Sequence, residues 1–368
     1  MDFLLRVGSA LVMAAAMIWQ VGWSLVLGFT LSGIVQAVVA RDRMREQLGG
    51  DGIGAIARAT VYGAASSSCS YAAAALSKTL FKKGAGLTPS LAFLFASTNL
   101  VVELGIILYV LMGWQFMVAE WVGGLVLVTL MALFVKATYP RALVAQARAH
   151  QEAASGHEHG SDTVDGRTVW ERLRNPQTRV LVARNVAMDW SMLRSDLLVG
   201  FLVAGVIAVF VPAQVWQGLF VSSGPAALVI GIGVIVGALL AIVTFVCSIG
   251  NVPMAAIFWG SGMSFGGVLA FLYADIIVLP LLDVYRKYYG WRTALYMFGT
   301  FFVTIVLAAV VMNGAFAALH LVPAARPDVR GMMEAFSLNY TFWLNVLALG
   351  VVGYFVYVNR KHPMDHHC

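Results

Sequence analysis

The sequence predicts an all-α, polytopic helical membrane protein with an internal repeat, and three observations carry that prediction. Of its 368 residues 60% are hydrophobic and only 11% charged, against roughly 25% charged in soluble domains. Mean hydropathy is +0.82. Apolar stretches fill nearly the whole chain, from LVMAAAMIWQ to LNVLALGVVGYFVYV. They reach the roughly 20 residues that a spanning helix needs and lack the roughly ten-residue alternation of a membrane β-barrel.

The elements follow in order. The first apolar stretch runs to about Val39 with no small-residue cleavage site before a polar segment, which reads as a retained helix and not a signal peptide. A single soluble segment then divides the chain. Residues 1–138 form a first membrane half, 139–195 a basic, His-containing linker, 196–320 a second membrane half, and 321–368 a last transmembrane helix and tail. The net charge is +6, but the basic residues gather at the ends of apolar runs, as in RDRMR, FKK, YRKYYGWR and NRK. That is a topology signal. The expected partner is the lipid bilayer of the cytoplasmic (inner) membrane, not nucleic acid, and a homo-oligomer is left open.

An internal duplication is the most informative feature. One gapless offset of 178 positions matches Cys69 with Cys247, Ser70 with Ser248, Gly84 with Gly262, and LAFLFA (91–96) with LAFLYA (269–274). Alanine and leucine coincide easily in an apolar chain. The cysteine, the phenylalanine and their common spacing do not.

Placing the basic clusters on the cytoplasmic side sets the topology. The segment 53–80 lies between two basic loops and reads as a re-entrant hairpin. Crossings follow at 86–111, 115–138 and 196–211, then a second hairpin at 225–262, then crossings at 264–285, 292–320 and 338–358. The two copies come out inverted, with the linker and the C-terminus cytoplasmic. The stretch 228–246 is also long enough to cross by itself, which leaves re-entry and crossing both open.

Each copy places its cysteine in a polar interruption, SSSCSYAAAA and CSIGNVPMAA. In the second, Gly250, Asn251 and Pro253 are expected to break a helix just after Cys247. Small residues at such places also serve close helix packing. Two cysteines at equivalent positions of a duplication should nonetheless approach one another at the pseudo-symmetry axis, and thiolates suit soft cargo such as Cu(I), trivalent metalloids or mercurials. Substrate-binding candidates are Cys69, Ser70, Cys247, Ser248, Asn251 and Pro253.

Ionisable residues inside a membrane are functional candidates by default. Glu103, four residues after Asn99, and Asp275, directly after the LAFLYA block, are candidates for proton coupling, with Asn99 as a neighbour on the face of Glu103. Pairing that only fixes packing is the alternative. Lys78 is expected to snorkel toward the interface with Lys82 and Lys83, and Asp283 to lie near a helix end beside Arg286. His150, His157 and His159 in the linker, and His362, His366 and His367 beside Cys368, are metal-binding residue types without the spacing of a closed zinc site. A solvated tail is the competing reading. Walker, HExxH and triad signatures are absent, so neither an enzyme nor a resident cofactor is expected.

On these residues the chain resembles the predicted permeases of the organoarsenical-efflux (ArsP-type) family. The likeness rests on the Cys-Ser pair, the glycine about fifteen residues on, the LAFL-type block, and CSIGNVP with Pro253. The second copy matches more closely; CSYAAAA lacks the proline and second cysteine of the family pattern. The resemblance implies a permease of the cytoplasmic membrane that exports trivalent organoarsenicals by ion-driven exchange, with Cys69 and Cys247 as arsenic ligands. Two readings stand beside it. One is a permease for an unrelated small solute or anion held by backbone NH groups of broken helices. The other is a non-transporting metal-delivery or assembly partner acting through the His-containing linker and tail.

Overall fold

The computed structural model of the chain describes residues 2–38, 41–66, 70–138, 141–154, 171, 174–210, 215, 218, 220, 225–244, 248–324 and 340–361. Every regular element among the described residues is helical. Five described stretches are long and apolar enough to cross a bilayer: Trp114–Thr138, Ala227–Thr244, Phe265–Tyr289, Trp291–Ala318 and Thr341–Lys361. The protein is a multi-pass helical membrane protein.

The chain opens with α1 (Asp2–Val38) and the short α2 (Arg41–Leu48). A run of five helices follows: α3 (Ile53–Ser66), α4 (Ser70–Lys82), α5 (Leu87–Asn99), α6 (Val102–Met112) and α7 (Trp114–Thr138). After α8 (Arg141–Ala154) and α9 (Pro176–Phe210), a second run has the same order. It comprises α10 (Ala226–Thr244), α11 (Ser248–Gly260), α12 (Phe265–Tyr273) with a 3₁₀ turn at Ala274–Ile276, α13 (Leu279–Tyr289) and α14 (Trp291–Ala318), and α15 (Tyr340–Lys361) closes the described chain.

The packing repeats as well. Helix α5 contacts α3, α4 and α7, as α12 contacts α10, α11 and α14; α6 packs on α7 as α13 packs on α14. The runs also cross over, α6 meeting α11, α13 meeting α4, and α7 meeting α14. Backbone geometry agrees position by position. Gly84 and Gly262 have φ of 106° and 107°, and Gly113 and Gly290 have 96° and 82°. These left-handed conformations cost a side-chain-bearing residue roughly 1–2 kcal/mol, which is why glycine closes each turn. The last two glycines precede Trp114 and Trp291, the first residues of α7 and α14.

Helices α5 and α12 both stop within apolar sequence. Asn99 Nδ2 donates back to Phe95 O at 3.1 Å and to Thr98 Oγ1 at 2.9 Å, so the last side chain of α5 folds onto its own final turn. Val101 and Val278 then turn extended, with ψ of 133° and 145°, before α6 and α13 begin. Pro280 in the first turn of α13 lacks an N–H that would have no partner there.

The long helices α1 and α9 pack along each other, with α15 against both. At 37 and 35 residues and 1.5 Å per residue they span about 50–55 Å, well beyond the roughly 30 Å hydrocarbon core. Helix α9 begins at Pro176, inside the segment expected to be a soluble linker, so the expected crossing at 196–211 is only the end of a longer rod. Helix α8 docks on the membrane body: Arg148 lies 4.3 Å over the Phe81 ring and donates to Phe81 O and Ala85 O. His150 Nε2 lies 3.1 Å from Lys287 O, and Thr293 Oγ1 donates to Leu143 O. The linker thus touches both runs.

Two local expectations are corrected. Gly250, Asn251 and Pro253 do not break a helix; they lie within α11, which starts at Ser248. Pro253 stands more than one turn into α11, so its missing N–H removes one bond of the helical ladder and leaves the others in place. Lys78 does not simply reach for the interface: its Nζ sits 4.5 Å from the Tyr288 ring centroid of α13.

Candidate functional site

Ser70 lies on α4 and Ser248 on α11, and the fold brings these two residues together. Ser70 Oγ lies 3.2 Å from Ser248 Oγ. Asp275, in the 3₁₀ turn after α12, receives both hydroxyls on one oxygen. Ser70 Oγ donates to Asp275 Oδ2 at 2.8 Å, and Ser248 Oγ donates to the same atom. Each hydroxyl has one proton, and both protons point at the carboxylate, so the contact between the serines is a close approach. All three side chains are buried.

Asp275 and Asn251 carry unpartnered polar atoms. Asp275 Oδ1 has no hydrogen-bond partner among the described residues, nor do Oδ1 and Nδ2 of Asn251, which is 1% exposed. Asn251 lies three residues after Ser248 on α11 and therefore on the same helix face. Buried polar atoms are paired in the great majority of cases, so the free atoms of Asp275 and Asn251 are candidates for meeting a ligand.

Helix α7 forms the neighbouring wall. Tyr273 Oη donates to Ala119 O at 2.6 Å. Gly123 leaves room for that same ring, since a Cβ there would collide with Tyr273 Oη and Cζ. Gly124 faces Leu100 and Asn99 at the end of α5. Between Ala119 and Trp121 stands Glu120, fully buried.

Of the residues singled out from sequence, Ser70, Ser248 and Asp275 thus lie together, with Asn251 one turn after Ser248 on α11. Asn99 is buried at the end of α5 and bonded to its own helix. Glu103 is on α6 and Pro253 on α11; their side chains lie outside the described set. Cys69, Cys247, His366, His367 and Cys368 lie outside the described residues. Among the described residues no group of three or more His, Cys, Asp or Glu side chains could hold a metal ion. Asp283 pairs with Arg286 at 2.7 Å and Lys287 at 3.2 Å. Sequence reasoning passed over Glu120, although the signal was present: it is the only acid in the Trp114–Thr138 span.

Comparison with known proteins agrees with this architecture. The model of the ArsP_1 family, described as "Predicted permease", matches residues 6–314. A Mycobacterium tuberculosis protein named "Putative permease Rv2963" is 44% identical over 318 residues, covering 85% of this chain and 78% of that protein. No solved structure matches the chain. With the helical membrane fold and a family match over most of its length, the chain belongs to the ArsP_1 family of predicted permeases.

Proposed function

We propose that this permease is a secondary transporter of the inner membrane. In this reading it exports a soft, thiophilic species, such as a trivalent organoarsenical or a soft metal ion, by alternating access around the Ser70–Ser248–Asp275 clasp. Its two helix runs are taken as an inverted duplication with the basic linker and C-terminus cytoplasmic. The single observation that carries the reading is the meeting of Ser70 and Ser248, equivalent positions 178 residues apart, at one buried carboxylate. Cys69 and Cys247 are the residues immediately before these serines in the chain, and soft sulfur ligands at that convergence suit soft cargo. Asp275, with Glu103 and Asn99 as further candidates, belongs to the proton-coupling region in this scheme.

The test is a thermal-shift series in detergent with arsenite, phenylarsine oxide, mercury and copper(I), on the wild type and on the Cys69→Ser/Cys247→Ser variant. A ligand at 100 times its Kd stabilises by about 2.7 kcal/mol. One class of ligand should stabilise the wild type, and the variant should lose that shift while staying folded. Undiminished transport by the double variant sinks the thiol mechanism.

The meeting of Ser70 and Ser248 from the two runs also suits a second reading, a permease for a small anionic solute. It predicts activity that is indifferent to the cysteines and sensitive at Ser70, Ser248 and Asn251. Asp275 already occupies the place such an anion would take, which weighs against it.

A further inference from the structure

Glu120 is 0% exposed, and neither of its carboxyl oxygens has a hydrogen-bond partner among the described residues. Its position is rigidly set. The residue before it accepts the Tyr273 hydroxyl, and Gly123 and Gly124, one turn on, are pressed against Tyr273 and Leu100. Asp275 follows Tyr273 by two residues in the chain. Of the helices packed on α7, α12 with its turn brings Tyr273 and Asp275, and α6 carries Glu103 and Tyr109. Helix α5 has no titratable residue, and α14 carries only Arg292 and Tyr296.

The two neighbouring carboxyls stand in opposite surroundings. Asp275 has two hydroxyl donors to meet a negative charge. Glu120 has no donor among the described residues. An isolated ionised carboxylate is among the costliest groups to bury, and proteins keep such a group neutral instead. Two nearby carboxyls with one supplied with donors and one without divide into an anion and an acid.

We propose that Glu120 holds a proton as the neutral member of a carboxyl pair with Asp275, and that this is the proton the permease moves. The second clause rests on the transport reading above; the first does not. When the cavity opens, the Glu120 O–H bond breaks and the proton passes to water. Reprotonation from the other side of the membrane restores the acid.

Infrared spectroscopy of the purified full-length protein at neutral pH tests the first clause without any cargo. The C=O stretch of a protonated carboxyl should be present in the wild type, disappear in Glu120→Gln, and persist in Glu103→Gln and Asp275→Asn. Isotopic labelling of glutamate side chains with carbon-13 covers the case of a misfolded variant, since the band should then shift with no substitution at all. No band in the wild type, a band surviving Glu120→Gln, or one that shifts only with labelled aspartate overturns the proposal. In inside-out vesicles with phenylarsine oxide as probe, Glu120→Gln should lose accumulation driven by a proton gradient and keep exchange without one. Accumulation that persists in the variant, or that follows a sodium gradient instead, overturns the second clause. If the wild type does not move phenylarsine oxide at all, the cargo reading fails while the infrared result stands.

Discussion

Replacing Ser70 or Ser248 by alanine removes one of two hydroxyl donors from a buried carboxylate. A hydrogen bond to a charged group contributes about 1.5–3 kcal/mol net. Each single variant should therefore lose that much stability, a fall of roughly one to two orders of magnitude in the folded-to-unfolded ratio. The donations converge on one oxygen, Asp275 Oδ2, so the losses should not add: residues sharing a partner couple by about 0.5–3 kcal/mol. Asp275→Asn keeps an acceptor oxygen for the serines and should be milder than Asp275→Ala. The latter leaves two buried hydroxyls 3.2 Å apart, able to bond each other but with one proton unmatched. The assay is a double-mutant cycle, with unfolding in mixed micelles followed by fluorescence of the 10 tryptophans. Strict additivity, or single variants within about 0.5 kcal/mol of wild type as at a surface site, refutes the shared clasp.

Gly123→Ala should destabilise by about 1–3 kcal/mol through overpacking against Tyr273. Adding Tyr273→Phe should recover part of that, because the colliding Oη is removed; the same unfolding assay reads both. Arg148→Ala should free α8 from the body with a loss of about 1.5–3 kcal/mol, seen as faster tryptic cleavage at Arg141. Phe81→Leu removes the ring beneath the guanidinium together with its core contact to Tyr289, so it should cost more than the roughly 0.5–1 kcal/mol of the cation–π contact alone.

Much of this arrangement could be read in the chain before any coordinates. The 178-residue offset paired Ser70 with Ser248, and apolar length alone required a membrane. The gapless match ends at Ala274, however, because one register step intervenes: Gly113–Trp114 corresponds to Gly290–Trp291 at an offset of 177. A search that forbids gaps is blind to the agreement of α6 with α13 and of α7 with α14. Glu120 escaped because attention followed the repeated blocks, and its counterpart in α14 is the apolar Met297, so repetition could not flag it. The linker escaped for a different reason. Polarity marks Arg148 and His150 as solvated, but their actual partners are backbone carbonyls of Phe81, Ala85 and Lys287, which leave no trace in a side-chain pattern.

The clasp also breaks the likeness of the two helix runs. The position 178 residues before Asp275 is Ser97, and it bonds Ser66 at 2.7 Å within its own run. Only one run carries the acid, while both runs lend it a hydroxyl. Swapping the roles of the runs is therefore not an identity operation: parting α4 from Asp275 and parting α11 from Asp275 sever different bonds within different surroundings. In the alternating-access reading proposed above, the two facing states would therefore differ in energy, and with it in the side on which the transporter waits.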